Sequence, residues 1–310
     1  MTTTGQPPGG FGPPRRATGG LRPPRTPHGS RRIWRGTWIE HDGMLWSPLL
    51  GSLGLVAGFT TRAQGSLAGS RHPLEEQARN RAALARTLGF SGVARARQVH
   101  GRDVVRVDAP VEPWPTADAL WSARPGVLLG IAAADCVPVL VADPDGPVGA
   151  AHAGWQGTTL RVTEALVEAM VAGGAARERL VASLGPAIGP CCYAIDMERA
   201  TIVNDRIGES CLRKVDDRIV MDLWAANTAQ LRTVGVTRIE ISSVCTLSGG
   251  ADLCSYRGRG PDGVYGTQLG FIGRLGGGSA PADPRRLDGG SAPADPRRLD
   301  GGSAPADPRT

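Results

Sequence analysis

Long apolar runs are missing from this 310-residue chain. None approaches the roughly 18 residues that a membrane-spanning helix needs. The arginine-bearing N-terminus lacks an apolar segment behind it, so it does not read as a secretory leader, and a cytoplasmic location is the expectation. The spacings that announce a metal site, C-x-x-C and H-E-x-x-H, do not occur. Lysine is nearly absent: Lys214 stands alone against 34 arginines. That bias points to a GC-rich genome, because bulk physics does not demand it.

Acids are also missing from residues 1–32, which carry Arg15, Arg16, Arg22, Arg25, Arg31 and Arg32. Residues 275–310 balance five arginines with five aspartates, and residues 33–274 balance 24 basic with 24 acidic side chains. The net charge of +6 and pI near 9.4 therefore belong to one arm. A neutral core excludes nucleic acid or a membrane surface as the expected partner of the folded region.

What is present is ordinary for a globular protein: 41% hydrophobic and 21% charged residues. The six cysteines (Cys136, Cys191, Cys192, Cys211, Cys245, Cys254) read as reduced thiols in a chain this long without a leader. Adjacent Cys191 and Cys192 are poor partners for each other and lie in a Gly/Pro-rich loop, where they line a pocket or serve structure.

Residues 1–32 are rich in Pro, Gly, Arg and Thr and cannot bury enough apolar surface to order themselves. From Gly277 a twelve-residue unit, GGSAPADPRRLD, repeats at Gly289 and begins again at Gly301. It offers no apolar face to stack, so 275–310 reads as a low-complexity tail rather than a solenoid. One domain over 33–274 is expected. Inside it, strand-like runs at Leu53–Phe59, Val93–Val99, Val104–Val107, Val127–Cys136, Val137–Val141, Val148–His152, Leu180–Leu184, Ile219–Met221 and Ile239–Val244 alternate with helical patterns at Pro73–Leu88, Thr158–Ala172 and Leu223–Val234. The pattern predicts an α/β or α+β layered single domain, a mixed sheet flanked by helices.

Three segments share one design, an apolar strand ending in a metal-capable side chain beside glycine or a tight turn. They are RQVHG with His100, AADCVPV with Cys136, and AHAGWQGT with His152. Two neutral imidazoles and a thiolate suit zinc, and three protein ligands leave a fourth position open for chemistry. The same residues also fit a nucleophilic reading, with Cys136 as thiolate and His152 as general base. Spacing does not choose between the two.

The motifs GFTTR (Gly58–Arg62), NR (Asn80, Arg81), QVHG (Gln98–Gly101), ADAL (Ala117–Leu120), ADCVPV (Ala134–Val139), HAGW-GT (His152–Thr158), LGPAIGPCCY (Leu184–Tyr193), DLWAAN (Asp222–Asn227), CT (Cys245, Thr246) and SYR (Ser255–Arg257) occur in one order across about 53–272. In this the sequence resembles the laccase-domain family, also called YfiH-like or multicopper polyphenol oxidoreductase, whose members are described as purine nucleoside phosphorylases with adenosine deaminase activity. The resemblance implies metal ligands at His100, Cys136 and His152, zinc as cofactor with copper (Cu2+) as the alternative, and purine nucleosides and phosphate as small-molecule partners of a monomer or small homo-oligomer. It implies two reactions at one site: phosphate displacing a purine from C1′, and water activated at the metal replacing the amine at C6 of adenosine.

Within that frame Arg62 and Arg257 are the candidate phosphate cations, and Trp155 a stacking face for the purine. Asp135 is the candidate proton acceptor or ligand-orienting group beside Cys136. The sequence departs from the family at three places. Gln156 follows HAGW where members carry arginine, Ala63-Gln64-Gly65-Ser66 replaces a Gly-Gly pair, and Gly266-Thr267-Gln268 lacks the usual arginine. If the arginine after HAGW helps hold phosphate, phosphorolysis is weakened here and deamination kept. Copper-dependent phenol oxidation, and a Cys136/His152 hydrolase acting on cell-wall precursors, are the alternatives.

Overall fold

The computed structural model describes residues 38–69, 72–250, 252–263 and 265–277. The basic arm and nearly all of the repeat tail lie outside the described residues. Strands run in chain order as β1 (Ile39–His41), β2 (Met44–Trp46), β3 (Val56–Thr60), β4 (Val93–Ala94), β5 (Val104–Arg106), β6 (Ala119–Ser122), β7 (Leu128–Ala133), β8 (Val137–Ala142), β9 (Val148–Ala153), β10 (Val181–Leu184), β11 (Ala194–Ile195), β12 (Leu212–Val215), β13 (Arg218–Met221), β14 (Arg238–Ile241) and β15 (Gln268–Gly273). The α-helices are α1 (Pro48–Gly51), α2 (Leu74–Thr87), α3 (Trp155–Thr159), α4 (Val162–Ala172), α5 (Met197–Ile207) and α6 (Leu223–Thr233).

Two mixed six-stranded sheets form the centre, ordered β1-β2-β3-β15-β7-β4 and β14-β10-β8-β9-β6-β5; a small sheet, β11-β13-β12, stands beside them. The mixed α/β architecture expected from the sequence is present, with the sheet doubled. Strand periodicity explains the layering, because alternate side chains leave opposite faces. On β8, Val137, Val139 and Val141 join Leu166 and Met170 of α4 in one core, whereas Leu140 and Ala142 join Phe59, Leu129, Ile131 and Ile272 in another between the sheets. The outer face of the first sheet, with Leu128, Leu269 and Phe271, packs on Leu84 and Ala85 of α2. Each such buried Leu, Ile or Phe contributes about 1.5–3 kcal/mol. The order of layers is thus helix, sheet, sheet, helix.

The helical pattern over Thr158–Ala172 divides in two. Arg161 adopts φ 63°, a left-handed turn that ends α3 and starts α4 in a new direction. The α2 prediction coincides with the helix, with Glu75 and Glu76 in its first turn where the dipole favours acids. Among the described residues no helix is long and apolar enough to cross a membrane.

Candidate metal centre

Cys136 sits where the chain leaves β7 of the first sheet and enters β8 of the second. Strand β8 runs antiparallel to β9, with Val137 opposite Ala153 and Pro138 opposite His152. This register sets the start of one strand against the end of the other, so Cys136 and His152 meet. His152 shares the pleat face of Val148 and Ala150, which points between the sheets. His100 comes from the loop after β4, where Gln98 clamps the edge of β7: its amide donates to the Ala132 carbonyl and accepts from the Ala132 N–H, both at 2.8 Å. The ligand-capable atoms of His100, Cys136 and His152 all lie within 4.8 Å of one another.

Asp118, just ahead of β6, organises this trio. Its carboxylate is fully buried. One oxygen accepts from His152 Nδ1 at 2.9 Å and from the His100 backbone N–H at 2.9 Å; the other accepts from the N–H groups of Gly101 (2.7 Å) and Val99 (3.1 Å). The same residue therefore holds the His152 ring and the left-handed backbone of His100, at φ 62°. Binding Nδ1–H to a carboxylate leaves Nε2 as the nitrogen available to a metal, the usual way a ligating histidine is oriented. Burial pushes the Asp118 carboxyl up, but His152 and the N–H donors outweigh it and hold it below the usual carboxylate range.

Electrostatics favour an ionised thiol. Burial raises the Cys136 pKa, and the nearby His152 and His100 reverse this and bring it down to about 6. Burial lowers His152, while the Cys136 thiolate and Asp118 raise it to about 9. Gly154 completes the cradle: a Cβ there would lie 2.7 Å from Cys136 Sγ and 3.5 Å from the His100 ring. A thiolate and two imidazoles around a space that only glycine leaves open form a donor set that can hold zinc or copper.

The other residues singled out in the sequence are placed unevenly. Asp135 adopts φ 90° and is buried. Its two carboxylate oxygens accept from Thr246 Oγ1 (2.6 Å) and the Arg257 backbone N–H (2.7 Å). It therefore ties two distant loops to the Cys136 turn. The Arg257 guanidinium donates to the Ala194 carbonyl at 3.0 Å and lies 5.2 Å from the Tyr193 ring centre. Trp155 opens α3, two residues past the end of the β9 pairing with Val137. Arg62 Nε donates to the Leu253 carbonyl at 3.2 Å. Gln156, next to Trp155, is exposed.

Sequence reading missed three participants. Asp118 lies inside the ADAL motif, and a lone aspartate before an apolar strand gives no sign of its partners. Tyr193 closes LGPAIGPCCY; burial first and the Cys136 charge second push its hydroxyl up to about 12, against the pull of Arg257 and Arg199, so it stays protonated. Arg199 belongs to α5, an element not read from the sequence at all, and its guanidinium lies 5.5 Å from the Trp155 ring centre. It also meets Asp196 at 3.3 Å on the exposed side. Arg199 thus stands over Trp155, and Arg257 over Tyr193, whose hydroxyl feels the Cys136 charge.

Known proteins resemble this chain in sequence and in fold. The sequence model of the family described as multi-copper polyphenol oxidoreductase laccase matches residues 57–275. A protein of Deinococcus radiodurans named purine nucleoside phosphorylase is 42% identical over 219 residues, covering 66% of this chain and 85% of the relative. Purine nucleoside phosphorylase YlmD of Geobacillus stearothermophilus is 34% identical over 254 residues, covering 71% and 90%. The crystal structure of YlmD from that organism superposes with a TM-score of 0.69 at 30% identity, over 78% of this chain and 100% of that one. Both kinship in sequence and likeness in fold thus span the segment that builds the trio, and the chain belongs to the multi-copper polyphenol oxidoreductase laccase family.

Proposed function

We propose that this chain is a zinc-dependent purine nucleoside phosphorylase that also deaminates adenosine, with the metal held by His100, Cys136 and His152. The observation that carries the reading is the convergence of those three donors on one another, backed by Asp118. The names of the relatives supply the substrate class, purine nucleosides; adenosine, inosine, guanosine and methylthioadenosine are the substrates this reading assigns. The catalytic domain spans about 33–274.

When bound, the metal supplies a positive centre that polarises oxygen at the reacting carbon. Asp118 keeps His152 in one tautomer and orientation. Arg257 and Arg199 take the phosphate oxygens, a task for which planar guanidiniums are suited. Trp155 offers its ring to the purine, and the protonated Tyr193 hydroxyl donates a hydrogen bond to the bound anion. In phosphorolysis a phosphate oxygen forms the bond to C1′ as the bond to N9 breaks, and the electron pair leaves with the base. In deamination water replaces the C6 amine and ammonia departs. Asp135, with both oxygens engaged, acts as a positioning residue for the Cys136 turn. Arg199 supplies the guanidinium that Gln156 lacks, which keeps phosphorolysis within reach of this chain.

The test is product analysis on adenosine. Metal-replete protein forms adenine and ribose 1-phosphate with phosphate present, inosine without it, and neither after Cys136→Ala. Absence of both products from the metal-replete wild type overturns the reading. Copper bound stoichiometrically, with sustained oxygen uptake on a phenol, favours the oxidase chemistry of the family's description instead.

A second reading rests on one specific observation, Cys136 set against His152, whose ring Asp118 holds at 2.9 Å. It makes Cys136 a nucleophile for acyl transfer. Turnover of an ester or amide by metal-free protein, lost in Cys136→Ser, favours it.

A further inference from the structure

A second group of sulfurs lies outside the site already described. Cys191, Cys192 and Cys245 bring their Sγ atoms within 4.8 Å of one another. They come from two loops more than fifty residues apart, joined by the parallel bridge of Ala187 to Cys245. Cys191 and Cys192 stand 3.5 Å apart, and the Ser248 hydroxyl lies 3.5 Å from Cys191 Sγ. The Gly189 N–H donates to Cys245 Sγ at 3.3 Å, which holds that sulfur in place and favours its thiolate form. Gly189 also leaves room: a Cβ there would lie 3.3 Å from Cys191 Sγ and 3.4 Å from Cys245 Cβ.

We propose that Cys191, Cys192 and Cys245 form a second metal site, taking a thiophilic d10 cation, Zn2+ or Cu+, through three thiolates. Metal–sulfur bonds of about 2.3 Å set sulfurs about 3.8–4.0 Å apart around one ion, a spacing the group reaches with small side-chain adjustments. Thiolate donors select such soft cations over magnesium or calcium. Cys191 is exposed, giving the ion a way in, and Cys245 is buried, giving the site a fixed base. Each thiol that coordinates releases its proton, so binding weakens as pH falls. The consequence for the molecule is structural. Cys245 precedes Thr246, whose hydroxyl holds Asp135, and Asp135 precedes Cys136. An ion here clamps the loops on which the first centre rests.

The test uses the full chain, reduced and stripped of metal, titrated with Zn2+ against a chromophoric chelator and separately with Cu+ under anaerobic conditions. The wild type takes up two equivalents, and the double variant His100→Ala/Cys136→Ser takes up one. Loaded with Cd2+, that variant shows a thiolate-to-metal charge-transfer band that Cys191→Ser lowers by about a third and Cys191→Ser/Cys192→Ser abolishes. Cys191 is exposed, so its serine variant keeps the fold and carries the result if Cys192 or Cys245 variants do not. Which cation binds more tightly distinguishes zinc from Cu+. The proposal is overturned if the His100→Ala/Cys136→Ser variant, melting as the wild type does, binds neither ion. It is equally overturned if Cys191→Ser leaves the band unchanged, or if freshly purified protein holds these cysteines in a disulfide.

Discussion

Asp118 Oδ1 lies 2.9 Å from His152 Nδ1, and the same oxygen accepts the backbone N–H of His100 at 2.9 Å. One buried carboxylate thereby fixes two of the three candidate ligands. Asp118→Asn keeps the shape but removes the charge and sets an amide where an acceptor is needed. Zinc affinity is expected to fall about 10–100-fold, the usual cost of losing such a supporting partner. A competition titration with a chromophoric chelator reads it. Asp118→Ala goes further, leaving several N–H groups unsatisfied in the interior, and lowers stability on the order of 3 kcal/mol by urea denaturation. An alanine variant as stable as wild type contradicts this account of Asp118.

Gly154→Ala tests the cradle. Its methyl group falls 2.7 Å from Cys136 Sγ, inside van der Waals contact, at a backbone φ of −75° that alanine accepts readily. The fold should survive, and zinc binding should weaken tenfold or more. Unchanged metal affinity in a correctly folded variant means that the thiolate has room to move and that the cradle is not selective.

Arg199→Ala separates the two reactions. It removes a guanidinium from above Trp155 without touching the trio. The KM for phosphate in phosphorolysis should rise about tenfold, the loss of roughly one charge-assisted hydrogen bond, while adenosine deamination without phosphate keeps its rate. Equal losses in both would make Arg199 a packing residue rather than an anion ligand.

The pH dependence of Cys136 reactivity in metal-free protein follows from its depressed pKa of about 6. The thiolate is the reacting form. Alkylation by iodoacetamide should therefore rise as pH passes upward through about 6 and level off near 7. A free cysteine keeps gaining to beyond pH 8. Zinc should protect the thiol across this range. Mass mapping of the modified residue reads both effects, and an alkylation midpoint near 8.5 removes the assigned influence of His152 and His100.

How far the sequence anticipates this molecule depends on what kind of signal each part carries. His100, Cys136 and His152 stand out in the sequence because each lies at an apolar run beside a glycine or tight turn; in the structure Cys136 precedes β8 and His152 lies in β9, whereas the strand expected through Val99 stops at Ala94 and leaves His100 in a loop. Helix α2 was legible through its acids, arginines and terminal Gly89. Strand β15 was not, although it lies at the centre of the first sheet between β3 and β7. Its run Gln268–Gly273 begins with a buried glutamine and holds two glycines, neither of them strand formers. The doubling of the sheet was equally hidden, since strand pairing is a long-range property absent from local periodicity. The predicted helix at Thr158 ran through Arg161 because a single left-handed residue leaves no compositional trace. Arg62 is marked by the motif GFTTR, and its Nε donates to the Leu253 carbonyl. Arg199 matched none, and stands over Trp155.

The most direct measurement restores activity by titrating zinc into metal-free protein while following inosine phosphorolysis and adenosine deamination on the same samples. Both activities should rise together, reach their plateaus at the same zinc concentration, and be absent at every concentration in His152→Ala. If either activity appears without zinc, saturates separately from the other, or survives in His152→Ala, then His100, Cys136 and His152 do not form the single centre proposed here.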